Sequence, residues 1–184
     1  MEFHDKIKLI KHNPALGVTI DYPRRATKGS VGYDIHACID APVVVPRREL
    51  WCRQDEYFKA GHLVYGPIVE EKQEHVVTIP CGFSFDYRDS GTFPLIAPRS
   101  GRGCKEGLVL ANSVGIGDPD YKGEYKLCVM NRGHEDITIN PNDRIMQIVF
   151  LPAIFVEFVD DKFEPLAPVA QVPERTGGFG HTGS

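Results

Sequence analysis

An arginine, a hydroxyl and unobstructed backbone amides in succession make a cradle for an anion. Ala97-Pro-Arg-Ser-Gly-Arg-Gly103 offers that order at what reads as the start of a short helix. The same residues also make a capped turn, so both readings stand at this point. The segment from Ala111 to Glu124 reads as a hairpin tip carrying Asn112, Asp118, Asp120 and Tyr121. Two carboxylates two residues apart in a Gly/Pro loop are ordinary turn formers, but turn chemistry alone requires neither the asparagine nor the tyrosine. A third stretch, Pro173 to Ser184, sets one arginine and one phenylalanine among closely spaced glycines. As a chain end it reads as a mobile tail. Its backbone is also able to approach a phosphate, and its ring to stack on a base.

Other chemistries are disfavoured by spacing. There is no G-x-x-x-x-G-K-[ST] phosphate loop. Gly178-Phe-Gly-His-Thr-Gly183 matches G-x-G-x-x-G, but no helix follows it as a dinucleotide fold requires. No nucleophile elbow supports a Ser-His-Asp system. His36-Ala-Cys38 and Pro80-Cys81 mimic a zinc deaminase pattern, yet Ser84 stands where the second cysteine is needed. Five scattered cysteines without C-x-x-C suit reduced thiols rather than a disulfide framework.

The elements that must position these residues are short. Eighteen glycines and 14 prolines fall between segments rich in Val, Ile, Phe and Tyr. The segments are Lys6–Ile10, Gly32–Cys38, Val43–Val45, Val76–Ile79, Gly82–Tyr87, Pro94–Ala97, Leu108–Leu110, Glu124–Met130, Asp136–Ile139 and Ile145–Leu151. Several alternate, as in Phe83-Ser-Phe-Asp-Tyr87, which is the period of a half-buried strand. The reading is an all-β barrel or sandwich. Helix is expected only briefly after Ser100 and weakly around Arg48–Phe58. Residues 1–172 read as one domain, with 47–75 as an insertion between strands and 173–184 as a tail.

Hydrophobic residues at 42% supply a core, and charged residues stand at 25%. A net charge of −4 without a basic block disfavours direct nucleic-acid binding. The longest apolar stretch, Ile145 to Val159, is broken by Gln147, Pro152 and Glu157 and falls short of a membrane span. Glu2 and Asp5 stand where a signal peptide carries positive charge, so the expected location is cytoplasmic.

Taken together the motifs resemble those of the homotrimeric dUTP pyrophosphatases (dUTPases), with five in that family's order. They are Ala26–Ile35, Pro98–Gly101, Asn112–Gly123, Asn142–Gln147 and Arg175–Gly183. The resemblance implies a distorted, jelly-roll-like β-barrel that hydrolyses dUTP to dUMP and pyrophosphate. It implies Asp118 as the general base that activates water for attack on the α-phosphate. Arg99, Ser100, Gly101 and Gln147 would hold phosphates, and Asp34 would support them. Asn112, with the hairpin backbone at Gly115, Ile116 and Gly117, would read the uracil edge. Tyr121 would pack beneath the deoxyribose and exclude a 2′-hydroxyl, and Lys126 lies where hairpin backbone meets substrate. Arg175 would meet the γ-phosphate, with Phe179 and Gly180 covering the uracil. Mg2+ would bridge phosphate oxygens without dedicated protein ligands, and each site would be assembled from the subunits of a trimer.

Two departures from the family pattern stand out. Only Thr176 separates Arg175 from the glycine pair, one residue fewer than usual. Gly117 replaces a bulky aliphatic before Asp118, which predicts a looser hairpin tip. Other functions on this fold are a dCTP deaminase relative, which lacks an aromatic at the Tyr121 position, and a dUTP-dependent regulatory protein using 47–75 to contact a protein partner.

Overall fold

Alternating apolar and polar side chains form strands almost everywhere the sequence reading places them. The computed structural model describes residues 6–12, 18, 20–47, 76–87 and 90–165. Its first half contains β1 (Lys8–Lys11), β2 (Arg24–Arg25), β3 (Tyr33–His36), β4 (Val43–Val45), β5 (Val76–Pro80) and β6 (Phe83–Asp86). There follow β7 (Thr92–Pro98), α1 (Ser100–Lys105), β8 (Leu108–Leu110), β9 (Gly115–Ile116), β10 (Lys126–Asn131), β11 (Ile137–Ile139) and β12 (Arg144–Pro152). The expected helix after Ser100 is α1. The helix expected weakly at Arg48–Phe58, the rest of the expected insertion 47–75 beyond residue 47, and the expected tail 173–184 lie outside the described residues. Two short strands, β2 and β9, were not legible in the sequence, because two-residue strands have no period and exist only through their partners.

All strand pairs are antiparallel. The largest sheet runs β2-β3-β12-β7-β9; a second runs β5-β10-β8; β1-β6 and β11-β4 are pairs. Their inner faces meet in one core cluster. In β10 every second side chain turns inward, which buries Leu127, Val129 and Asn131. Strand β12 departs from that rule: Ile145 and Met146 are adjacent, yet both are fully buried. The pairing with β3 shifts register between Arg144 and Met146, and this bulge turns both side chains inward. Among the described residues no helix is long and apolar enough to cross a membrane.

The chain leaves α1 through Gly107 at φ +83, with its backbone pressed against Gly133. A side-chain carbon at either glycine would collide with backbone of the other segment, so both positions demand glycine. The neighbouring Asn131 is the buried polar residue of β10. Its amide donates to the carbonyls of Val45 (3.1 Å) and Glu135 (2.7 Å), and its carbonyl accepts from Gly133 N–H (2.7 Å). One side chain thus ties β10, the end of β4 and the loop before β11. Asn131→Ala removes three bonds and strands backbone groups near the core. It is expected to cost about 2–3 kcal/mol, read as a lowered urea midpoint with an unchanged slope.

Candidate active site

Strand register brings the cradle together. Asp34 on β3 stands opposite Gln147 on β12, which stands opposite Ala97 on β7. Directly paired residues share a sheet face, so Asp34 and Gln147 present their side chains at one level, beside the exit of β7 into Arg99. Arg99 precedes α1 with extended backbone (φ −77, ψ 138), which lets its side chain turn back across the sheet end. Its Nε donates to Asp34 Oδ1 at 2.7 Å and its Nη2 to Oδ2 at 3.5 Å. Nη1 reaches the carbonyl of Arg144 at 3.3 Å. A second guanidinium, that of Arg144, donates to Asp34 Oδ2 at 3.3 Å. Two cations share one carboxylate, and the surplus charge favours an incoming anion.

The other arginine of this segment has a different part. Arg102 is held by Glu106 at 2.9 Å and Asp143 at 3.2 Å, and it reaches the carbonyl of Thr138 at 3.4 Å. With two carboxylates around it, Arg102 fastens α1 to β11 and the turn before β12. Ser100 and Gly101 are exposed in the first turn of α1, where backbone amides lack intrahelical acceptors. Gln147 donates from Nε2 to the Pro98 carbonyl at 2.9 Å. Its Oε1 lies against Gly32, so a side-chain carbon at 32 would make it shift. The amide has a second N–H to offer an anion.

The hairpin residues form a separate group. Strands β8 and β10 pair as Leu110↔Val129, and the chain between them crosses to the large sheet, where β9 pairs with β7. Asn112 is exposed and is followed by Ser113 in the left-handed region (φ 66). Gly115 and Ile116 form β9, with Ile116 65% exposed. Gly117 N–H donates to the Pro94 carbonyl at 2.9 Å. Asp118 is exposed, and its carbonyl accepts from Tyr121 N–H at 3.0 Å, which closes a turn. The Tyr121 hydroxyl donates to the Glu124 carbonyl at 2.9 Å, and its ring stands edge-on to Tyr125 at 5.6 Å. Burial first, and then Glu124, raise the Tyr121 phenol above its usual range. Lys126 opens β10 opposite Pro80 with its side chain exposed.

The expected loosening at Gly117 does not occur. This residue is buried, and a side-chain carbon on it would strike Pro94 and come within 2.5 Å of the Tyr125 hydroxyl. Space left by the missing aliphatic is filled from position 125. Sequence reasoning gave no role to Arg144, although it lies inside a quoted motif, nor to Tyr125, which falls in the expected strand Glu124–Met130. Arg175, Phe179 and Gly180 lie outside the described residues.

Cradle and hairpin attach near opposite ends of β7. The Asp118 turn hangs on Pro94, and Arg99 lies beyond the far end of β7. Five positions of strand separate them, about 16 Å at roughly 3.3 Å per residue.

Known proteins resemble this chain in sequence and in fold. The dUTPase family model matches residues 60–183. A deoxyuridine 5′-triphosphate nucleotidohydrolase of Legionella pneumophila is 34% identical over 180 residues, covering 98% of each chain. In structure, the dUTPase of Staphylococcus bacteriophage 80alpha with dUPNHPP superposes with a TM-score of 0.62 at 18% identity, over 98% of this chain and 100% of that one. A mutant dUTPase from phage phi11 of S. aureus, described with a structural Mg(II) ion, gives 0.59 at 17% identity over 84% and 95%. These likenesses identify the all-β, jelly-roll-like architecture, and with the family model and the bacterial relative they establish that the chain belongs to the dUTPase family.

Proposed function

We propose that this protein hydrolyses dUTP to dUMP and pyrophosphate, with Asp118 as general base in a site shared between copies of the chain. The observation that carries the reading is the Asp118 turn. It presents an exposed carboxylate beside Tyr121, on backbone pinned to β7. Asp118 takes a proton from a water that attacks the α-phosphorus; the bond to the bridging oxygen of the β-phosphate breaks, and pyrophosphate leaves with that oxygen. Arg99, the Ser100 hydroxyl, the Gly101 amide and the second N–H of Gln147 hold phosphate oxygens. Tyr121 seats the deoxyribose, and Asn112 offers the donor and acceptor that the imide edge of uracil requires.

Mg2+ bound through the nucleotide would supply screening of phosphate charge, with Arg99, Ser100, Gly101 and Gln147 holding the same phosphates. The donors near the cradle suit that arrangement. Asp34, the carboxylate of the cradle, is already engaged by two arginines. The length of β7 supports a shared site. A base acting on the α-phosphate must lie within a few Å of the phosphate ligands, and roughly 16 Å of strand between the two attachment points favours supplying them from different copies. A symmetric trimer supplies hairpin and cradle from different copies. Arg175, Phe179 and Gly180 of the tail would then close over γ-phosphate and base.

Asp118→Asn should retain binding of a non-hydrolysable dUTP analogue by calorimetry while pyrophosphate release drops by about 10² to 10⁴-fold; near-normal turnover would remove Asp118 from the role. Sharing is tested by mixing. Asp118→Asn and Arg99→Gln chains, each inactive, are unfolded together and refolded at equal amounts. Random assembly should give about a quarter of sites an intact base and an intact cradle. No recovered activity in a trimer confirmed by sedimentation would place both halves on one chain. Deleting residues from Glu174 onward should leave assembly unchanged and lower kcat/KM at least tenfold, through loss of the phosphate and base contacts (about 1–3 kcal/mol for a stacked base).

A further inference from the structure

The exchange of bulk between positions 117 and 125 places an aromatic side chain behind the catalytic turn. Tyr125 is held on both sides of its backbone: its N–H donates to Phe83 carbonyl and its carbonyl accepts from Cys81 N–H, each at 2.9 Å. Its ring is 5% exposed and packs edge-on against Phe85 at 5.5 Å. The hydroxyl shares a hydrogen bond of 3.1 Å with the fully buried Tyr87. From this anchored base the phenol touches both halves of the hairpin's machinery. One edge meets the Tyr121 ring at 5.6 Å with planes 88° apart. The hydroxyl fills the space beside Gly117 that a side chain there would need.

We propose that Tyr125 is a positioning residue for hydrolysis, and that the Tyr87–Tyr125 hydroxyl pair sets where the Asp118 turn and the Tyr121 ring stand. The inference rests on the roles given above to Asp118 and Tyr121. The physical reason is that Gly117 has no side chain with which to pack the turn against the core. Its position is defined by the bond to Pro94 and by the phenol that abuts it. Burial above all pushes the Tyr125 phenol up to about 12; the hydrogen bond with Tyr87 works against this, and Tyr121 and Asp118 add to it. Burial also raises Tyr87. Both hydroxyls therefore keep their protons throughout the neutral range, and the bond between them persists.

The test compares Tyr125→Phe, Tyr87→Phe and the double variant, each assayed with dUTP and UTP well below its own melting temperature. Each single change should lower kcat for dUTP by about tenfold, since small misplacements of a catalytic group cost that much or more. KM for dUTP should stay within about twofold, and the preference for dUTP over UTP should narrow several-fold as the ring behind Tyr121 loses its hydroxyl anchor. The double variant should be no worse than the poorer single one, because the two hydroxyls act as a unit. A purely structural role would lower the melting temperature and leave kcat and the dUTP:UTP ratio unchanged, and that result would overturn the inference. So would losses that multiply in the double variant. Asp118→Asn, assayed alongside, separates the two levels. An active Asp118→Asn enzyme defeats the underlying assignment, whereas an inactive one beside fully active Tyr→Phe variants defeats only this inference.

Discussion

The pairing of β12 with β7, unbroken from Met146↔Pro98 to Pro152↔Thr92, is the constraint on which the rest of this structure depends. Register in a sheet has a period of two, so a slip of one residue would exchange the faces of every side chain. Here it would turn Ile148 outward and carry Gln147 away from Asp34. The register is secured by burial, since Ile145, Met146 and Ile148 are wholly enclosed and Ile96 nearly so. The core therefore determines the geometry of the Asp34–Arg99–Gln147 cradle, although none of its side chains belongs to it.

Strand β7 also measures out the molecule. Its far end delivers Arg99 to Asp34, and the bond from Gly117 to Pro94 near its start anchors the turn that carries Asp118. A strand is a stiff spacer, so these two groups are held apart as firmly as each is held in place. That separation is the basis for the proposal that a second copy of the chain completes the site.

Charge around the cradle is arranged by pairing and geometry. Asp34 takes up Arg99 through the planar two-nitrogen fork of its guanidinium and shares its second oxygen with Arg144. Such a fork restricts the arginine to one plane, which a lysine could not match. Arg102, three residues from Arg99, is surrounded by Glu106 and Asp143 and so serves the fold. Two arginines in one motif have separate tasks because different carboxylates reach them.

Alternation and turn residues determined most of the strands, since half-buried strands write their period directly into the chain. Val43–Val45 and Leu108–Leu110 coincide with observed strands, and the helix after Ser100 is present. The motif residues Asp34, Arg99 and Gln147 were legible by type and order, and the structure places them side by side. Arg144 as the second partner of Asp34, Arg102 as a fold residue and the packing of Gly117 on Tyr125 were not legible. Each depends on contacts between segments far apart in the chain, where neither spacing nor residue type reveals the partner. The sequence by itself determined which chemical groups the protein carries. Only the tertiary structure decided which of them meet, because strand register, the bulge at Ile145 and the length of β7 are set by how whole faces bury against one another.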